Sequence, residues 1–125
     1  MLKSYFMNRK YEFLHIGEKT SWGEQILISD HKGRGTIRVY RYNDDPNTLY
    51  LAGLYVSNND RNKNLGVELI NSAEFYGSNK LILAVKGKTW LYDWYTRLGY
   101  KETDYKSDED EPETIWMEKL KHNVI

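Results

Sequence analysis

A strand, a polar turn and a helix start follow one another within residues 54–70, in the stretch LYVSNNDRNKNLGVELI. The pattern predicts that the first turn of this helix holds four residues suited to an anion: Arg61, Lys63, Asn64 and Gly66. A helix start offers unpaired backbone N–H groups and a partial positive charge. Together with the mobile cations and a small glycine, these groups could cradle a diphosphate. An ordinary capped helix with solvated basic side chains explains the same pattern.

A second candidate for chemistry is Tyr95, in the segment WYTRLGY. A phenol held beside a leaving group can donate its proton as negative charge develops there. Tyr95 also fits the apolar face of its own helix, because Leu91 precedes it by one turn and Leu98 follows it by about one turn. Periodicity alone therefore favours a packing role for Tyr95.

Two charged segments suggest partners. The acidic loop Asp108–Glu113 could attract a cationic molecule, although a solvated turn is the simpler interpretation. The segment HKGRGTIRVYRY interleaves basic and aromatic residues that could grip RNA, namely Arg34, Arg38, Arg41, Tyr40 and Tyr42. A net charge of zero argues against a nucleic-acid partner.

The elements that must position these residues begin with strands in the first half of the chain. Apolar and β-branched residues form short runs separated by turn residues. The predicted strands are Tyr11–Ile16, Gln25–Ser29 and Thr36–Tyr42, with a tight hairpin at HKGRG between the last two. After a turn at Asn43–Asn47, Thr48–Val56 is almost wholly apolar, which predicts a strand buried on both faces.

Helical periodicity begins after Val56, where Asn58, Asn59 and Asp60 are typical of a turn and an N-cap. One helix face is predicted to carry Leu65, Leu69, Ile70, Ala73 and Tyr76, with Gly77 as the helix stop. Leu81–Val85 is typical of a central strand. A second helix face comprises Trp90, Leu91, Trp94, Tyr95 and Leu98 and ends at Gly99. Tyr100–Tyr105 and Thr114–Leu120 are predicted to pair as a hairpin across the acidic loop.

Size and composition narrow the class of protein. With 125 residues, 40% hydrophobic and 29% charged, residues 1–125 are expected to form a single domain. Since there is no cysteine, disulfides, cysteine-ligated zinc and a cysteine nucleophile are excluded. His15, His31 and His122 have no spacing that indicates a metal site. No apolar signal region or membrane-length run is present, so we expect a cytoplasmic protein with no membrane partner.

Two segments, in order and at the right distance, resemble the motifs of the GNAT superfamily of N-acetyltransferases. In the family's first motif a valine ends a strand, a basic residue or glutamine follows five positions on, and glycine-type residues stand three and five positions further. The matching residues here are Val56, Arg61, Asn64 and Gly66. The second motif is an aromatic residue, a tyrosine, three residues, then glycine and an aromatic residue, here Trp94, Tyr95, Gly99 and Tyr100. The segment ETIWMEKLK is similar to the family's last strand.

The resemblance implies an α/β (α+β) fold, with a GNAT-like mixed and largely antiparallel central sheet, a β-α-β-α core and a C-terminal β-hairpin. It covers Thr48–Lys121 well. Residues 1–47 match only as generic strands, and they are too short and too strand-like for the family's usual pair of helices. The resemblance therefore implies a minimal version of the fold.

The resemblance further implies an acetyl-CoA-dependent N-acetyltransferase, in which a primary amine attacks the thioester directly. In the family the pantetheine arm pairs with the strand end that is here Leu54, Tyr55 and Val56. The diphosphate lies on the following amides, here Arg61, Asn62, Lys63, Asn64, Leu65, Gly66 and Val67. Tyr95 matches the general acid that protonates the departing thiolate. Lys88 stands where the family often has an asparagine that helps to position the cofactor. The implied acceptor is a cationic amine, either a small molecule or a protein lysine or N-terminus. Assembly of the chain into a homodimer is a further option.

Departures from the motifs keep an alternative open. Asn64 replaces the first glycine of the phosphate loop, although asparagine tolerates left-handed backbone. The strand Thr48–Val56 lacks the glutamate that many members use as a base, so Glu24, Asp44, Asp45 or a water-mediated path could serve. The alternative is a catalytically silent CoA-binding or protein-interaction module on the same fold.

Overall fold

The computed structural model describes residues 2–7, 11–61, 63–74, 76 and 79–120. Five strands come first along the chain: β1 Leu2–Met7, β2 Glu12–Lys19, β3 Gly23–Asp30, β4 Gly35–Tyr42 and β5 Asp45–Val56. A 3₁₀ turn at Asn58–Asp60 leads to helix α1, Leu65–Glu74. The remaining elements are β6 Lys80–Lys86, α2 Trp90–Arg97, β7 Lys101–Glu102 and β8 Thr114–Leu120.

All eight strands form one sheet in the order β1-β2-β3-β4-β5-β6-β8-β7. Neighbouring strands are antiparallel except β5 and β6, which are parallel because α1 connects them. The predicted mixed sheet, the β-α-β-α core and the closing hairpin are confirmed. The described part of residues 2–47 contains β1 to β4, the first residues of β5 and no helix, as expected of the minimal fold.

Both helices lie on one face of the sheet. The buried side of α1, Leu65, Leu69, Ile70 and Ala73, packs in one core with alternate residues of the sheet, among them Ile26, Ile28, Ile37 and Val39. Gly35 allows this close approach, since a Cβ there would lie 3.0 Å from Leu69 Cδ1. α2 lies beside α1, because a Cβ at Gly66 would be 3.5 Å from the Trp94 ring. The Tyr100 hydroxyl and the Lys119 ammonium donate to Glu74 of α1 at 3.3 and 3.1 Å.

Buried polar contacts fix α1 and the loop before it. His15 on β2 and Ser72 on α1 are hydrogen-bonded at 2.7 Å, and both side chains are buried. Burial lowers the pKa of His15, which favours the neutral ring. The Tyr11 hydroxyl donates to the Lys63 carbonyl at 2.7 Å, which ties the loop to the start of β2. These contacts hold α1 at a fixed height over the sheet.

Two predictions about burial are wrong. Thr48–Val56 is not buried on both faces, since Ala52, Gly53 and Tyr55 are exposed. The cause is that β5 has no strand on its second edge beyond Tyr50. Trp90 was expected on the packed face of α2, but it is the first residue of the helix and 72% of it is exposed.

Some predicted boundaries also shift. α1 begins at Leu65, so Arg61, Lys63 and Asn64 precede the helix instead of lying in its first turn. The strand predicted at Tyr100–Tyr105 shortens to Lys101–Glu102. The predicted helix stop Gly77 lies outside the described residues. Neither described helix is long and apolar enough to span a membrane.

Candidate active site

The strands β5 and β6 separate after three paired positions, and a cleft opens between them. Parallel pairing joins Thr48–Tyr50 only to Lys80–Ile82. Just beyond, Ala52 is an extra residue on β5, because Gly53 and Leu51 pair with consecutive residues of β4. A bulge of this kind bends its strand and increases the twist, which turns the end of β5 away from β6. The cleft measures about 690 Å³ and is lined by both strands and by the starts of α1 and α2.

The end of β5 offers a free backbone edge to the cleft. Ser57 N–H donates to the Arg34 carbonyl at 2.8 Å, so the backbone groups of residue 57 point toward β4. Because these groups alternate in direction along an antiparallel ladder, those of Leu54 and Val56 point into the cleft. The Val56 carbonyl there accepts a hydrogen bond from Arg61 Nε at 3.2 Å. An extended ligand with amide groups could pair with this edge as an added strand would.

The loop between β5 and α1 presents a helix start at the mouth of the cleft. Asn64 adopts a left-handed φ of 65°, as its replacement of a glycine predicts. Its carbonyl accepts the first helical hydrogen bond, from Glu68 N–H at 3.0 Å. The N–H groups of Leu65, Gly66 and Val67 therefore have no partner within the helix. They form the anion-binding end of α1.

Gly66 lies at the start of α1, next to Trp94 of α2. A Cβ atom at residue 66 would lie 3.5 Å from the indole of Trp94 and 3.8 Å from Val56 Cγ2. These are ordinary van der Waals distances, so the packing of Trp94 does not by itself require a glycine at residue 66. That the missing side chain lets a diphosphate approach the backbone stays a prediction.

Tyr95 lies in the cleft wall and is only 7% exposed. Its ring packs edge-on against Trp94 and Tyr100, with centroids 4.9 and 5.6 Å away. Burial raises the pKa of Tyr95 to about 12, so the phenol stays protonated at neutral pH. Within the described residues, its hydroxyl makes no hydrogen bond. The group is thus a protonated donor that faces a cavity.

Most predicted cofactor residues surround this cleft. The lining includes Leu54, Tyr55, Val56, Arg61, Asn64, Leu65, Gly66 and Val67. Lys63 does not line it and instead contributes its carbonyl to Tyr11. Lys88 does not line it either, since its Nζ lies 4.0 Å from Glu102 and 5.6 Å from the Tyr92 ring centroid. Asn62 lies outside the described residues.

The predicted candidates for a base are not in the cleft. Glu24 accepts from Arg41 Nη1 at 2.9 Å, and Asp45 accepts from Tyr50 and Thr48 at 3.1 and 3.0 Å. Among the described lining residues, Asp60 is the one carboxylate, and it accepts a hydrogen bond from Ser57. The sequence predicted Asp60 only as a turn or N-cap residue, and that pattern does not indicate a binding site. The lining residues on β6, Leu83, Ala84 and Val85, were recognised only as a strand.

The splayed strands, the helix start and the buried tyrosine are the marks of one class of acyl-transferring domain. A model of the acetyltransferase (GNAT) family matches residues 3–100, and the chain belongs to that family. A comparison with curated proteins finds no match.

Solved structures agree with the fold. A GNAT-family acetyltransferase of Staphylococcus aureus Mu50 is 18% identical with a TM-score of 0.58, over 78% of this chain and 67% of that one. A Bacillus subtilis acetyltransferase in complex with CoA is 13% identical with a TM-score of 0.57, over 80% and 78%. An aminoglycoside 6'-N-acetyltransferase complexed with coenzyme A is 20% identical with a TM-score of 0.59, over 77% and 72%. At these identities the likeness concerns the fold.

Proposed function

We propose that this chain is an acetyl-CoA-dependent N-acetyltransferase that moves an acetyl group to a primary amine by direct attack. The observation that carries the proposal is the arrangement of the cleft. The end of β5 offers a free backbone edge, the start of α1 offers N–H groups without helical partners, and a protonated phenol also lines the cleft. Two similar structures contain coenzyme A, which supports the choice of cofactor.

The described residues fit coenzyme A by its chemistry. The pantetheine arm carries amides, which suit the backbone groups of Leu54 and Val56. The diphosphate carries negative charge, which suits the N–H groups at Leu65–Val67 and the guanidinium of Arg61. The carboxylate of Asp60, which accepts a hydrogen bond from Ser57, would repel the diphosphate. Lys63 and Lys88 do not line the cleft, so we assign them no contact with coenzyme A here. A contact between Asn62 and the diphosphate stays a prediction.

Tyr95 would act as the general acid. Acetyl-CoA supplies an acetyl group on a thioester sulfur; the amine nitrogen forms the new C–N bond and the C–S bond breaks. Tyr95 donates its proton to the departing sulfur and regains one from water. With a pKa of about 12, Tyr95 holds its proton throughout the neutral range. The phenol is therefore in the protonated form that a general acid requires when charge develops on the departing sulfur.

The amine must lose a proton before or during attack. A lysine-like amine is neutral in about one molecule in 2,500 at pH 7. Glu24 and Asp45 are engaged elsewhere, so we infer that a water-mediated path removes this proton. An acceptor amine with a low pKa would need less assistance.

Binding and turnover test the proposal separately. At CoA a hundredfold above its dissociation constant, linkage stabilises the fold by about 2.7 kcal/mol, which raises the melting temperature by roughly 10 °C. Calorimetry then gives the affinity, and release of CoA with a panel of primary amines gives turnover. CoA binding without turnover would identify the catalytically silent module instead. A melting temperature unmoved by millimolar CoA, with no heat of binding, would refute the cofactor assignment.

A further inference from the structure

The face of the sheet opposite α1 and α2 is not covered by any described helix. Val39 and Leu49 point into the core beneath α1, so their neighbours Tyr40 and Tyr50 point to the opposite face. Ile82, which pairs with Tyr50, is buried but is not part of the core under the helices. Side chains of the strands and loops must therefore cover this face.

An aromatic surface covers its centre, made of Trp22, Tyr40, Tyr42 and Tyr50. The ring of Trp22 lies 5.5 and 5.4 Å from those of Tyr40 and Tyr42, and the ring of Tyr42 lies 5.1 Å from that of Tyr50. Burial, the hydrogen bond to Asp45 and the neighbouring phenols of Tyr105 and Tyr42 raise the pKa of Tyr50 to about 12. The ring of Tyr105, from the loop after β7, packs edge-on against Trp116 of β8, with ring centroids 5.0 Å apart.

Carboxylates border the aromatic surface. Asp45 is held against it by the hydroxyls of Tyr50 and Thr48. On the other side, the loop of residues 103–113 carries six carboxylates and one lysine, and its Asp110 accepts from Trp116 Nε1 at 2.9 Å. Arg38 is the basic side chain that β4 presents on this face. Aromatic faces and carboxylates both attract organic cations.

The cleft opens onto this same face. Ala84 lies between the core residues Leu83 and Val85, so it points to the opposite side, yet it lines the cleft and is exposed. Its small side chain and the exposed Ala52 leave the space between β5 and β6 open. Tyr50 precedes Ala52 by two residues, a separation of about 7 Å along a strand. A short molecule can therefore touch the aromatic surface and the cleft together.

We propose that the aromatic surface binds the second, non-reacting ammonium of a small diamine acceptor, whose other amine enters the cleft beside Ala52 and Ala84. This inference rests on the proposed acetyltransferase function and adds the substrate class. The separation of the two sites selects an aliphatic diamine of about five to seven carbons, since each site would take one end of the molecule. A monoamine of equal length gains only the cleft contacts.

The test compares 1,6-diaminohexane with hexylamine as acceptors at saturating acetyl-CoA. We expect kcat/KM to be about five- to tenfold higher for the diamine, the scale of one cation–π contact with a carboxylate nearby. Trp22→Leu and Asp45→Asn should each reduce the ratio of the two kcat/KM values toward two, the statistical ratio for a molecule with two equivalent amines. Asp93→Asn, which removes an equal charge from the exposed surface of α2, should leave the ratio unchanged.

Failure of this inference differs from failure of the acetyltransferase function. A ratio of two or less in the wild type, or a diamine preference that survives both Trp22→Leu and Asp45→Asn, would overturn the diamine site while acetyl transfer remains. Efficient transfer to a lysine peptide with none to the diamine would also overturn it. Should Asp45→Asn unfold the protein, Trp22→Leu decides, because Trp22 is 40% exposed in a turn.

Fluorescence tests the diamine site even if no amine is acetylated. Titration of the CoA complex with 1,6-diaminohexane should then quench tryptophan fluorescence to saturation, and Trp22→Leu should abolish most of that quenching. Quenching of equal size in the wild type and in Trp22→Leu, or none in either protein, would overturn the site.

Discussion

Replacing Tyr95 with phenylalanine removes one hydroxyl and leaves the ring in place. The ring contacts with Trp94 and Tyr100, at centroid distances of 4.9 and 5.6 Å, should persist because they do not involve the hydroxyl. No hydrogen bond of Tyr95 is present among the described residues, so no buried partner is left unsatisfied. The free energy of unfolding should therefore change by less than about 1.5 kcal/mol, the net value of one typical hydrogen bond.

The acyl-transfer rate should respond quite differently. A positioned general acid contributes about 10²–10⁴ in rate, which corresponds to about 2.7–5.5 kcal/mol of activation free energy. We expect Tyr95→Phe to lower kcat by that factor while the affinity for CoA stays nearly constant. The wild-type rate should show no loss from Tyr95 ionisation up to about pH 10, because the pKa of about 12 lies well above it.

The assay benefits from the composition of the chain. Because the protein has no cysteine, a thiol reagent detects released CoA without background from the protein. Tyr92→Phe on the same helix is the matched control, since its hydroxyl bonds to Glu102 on the exposed side. Full turnover in a folded Tyr95→Phe protein would refute the catalytic role and leave Tyr95 as a packing residue.

Two further predictions concern the loop and the core. Asn64→Ala forces alanine into a left-handed φ of 65°, so urea unfolding should show a loss of about 1–2 kcal/mol and calorimetry a weaker affinity for CoA, whereas Asn64→Gly should keep both. Burial lowers the pKa of His15, so the unfolded chain takes up its proton first as the pH falls below about 6.5. The wild type should lose stability between pH 7 and 5, and His15→Gln should flatten that slope; parallel slopes for the two proteins would exclude His15 as the cause.

Helical periodicity and motif spacing were enough to predict the packed face of α1 and the backbone conformation of the loop before it. The helix face at Leu65, Leu69 and Ala73 follows directly from the three- and four-residue spacing, and the structure buries all three. The left-handed φ of Asn64 follows from the residue type and its place in the motif. These features are local, so a single sequence contains them.

The parts that failed depend on pairing between distant segments. An apolar strand is normally buried on both faces. Beyond Tyr50, however, β5 no longer pairs with β6, and the residue types from Thr48 to Val56 do not indicate where that pairing ends. The bulge at Ala52 arises from the register with β4; Gly53 beside it is a residue type typical of bulges, but residue type alone does not give the register. Lys88 stands where the family often has an asparagine, and its ammonium lies 4.0 Å from Glu102, a contact that motif spacing does not include.

One local irregularity links the cofactor site to the proposed acceptor site. If β5 continued to pair with β6, the backbone edge at Leu54 and Val56 would be used by the sheet, and no ligand could add to it. The same separation places Ala52 and Ala84 at an opening through the sheet instead of beneath neighbouring side chains. Since residues 11–47 form strands and no helix here, the walls of that opening must come from rings on the strands themselves, such as Tyr50. The bulge therefore provides both the edge that would bind coenzyme A and the route by which an amine would reach it.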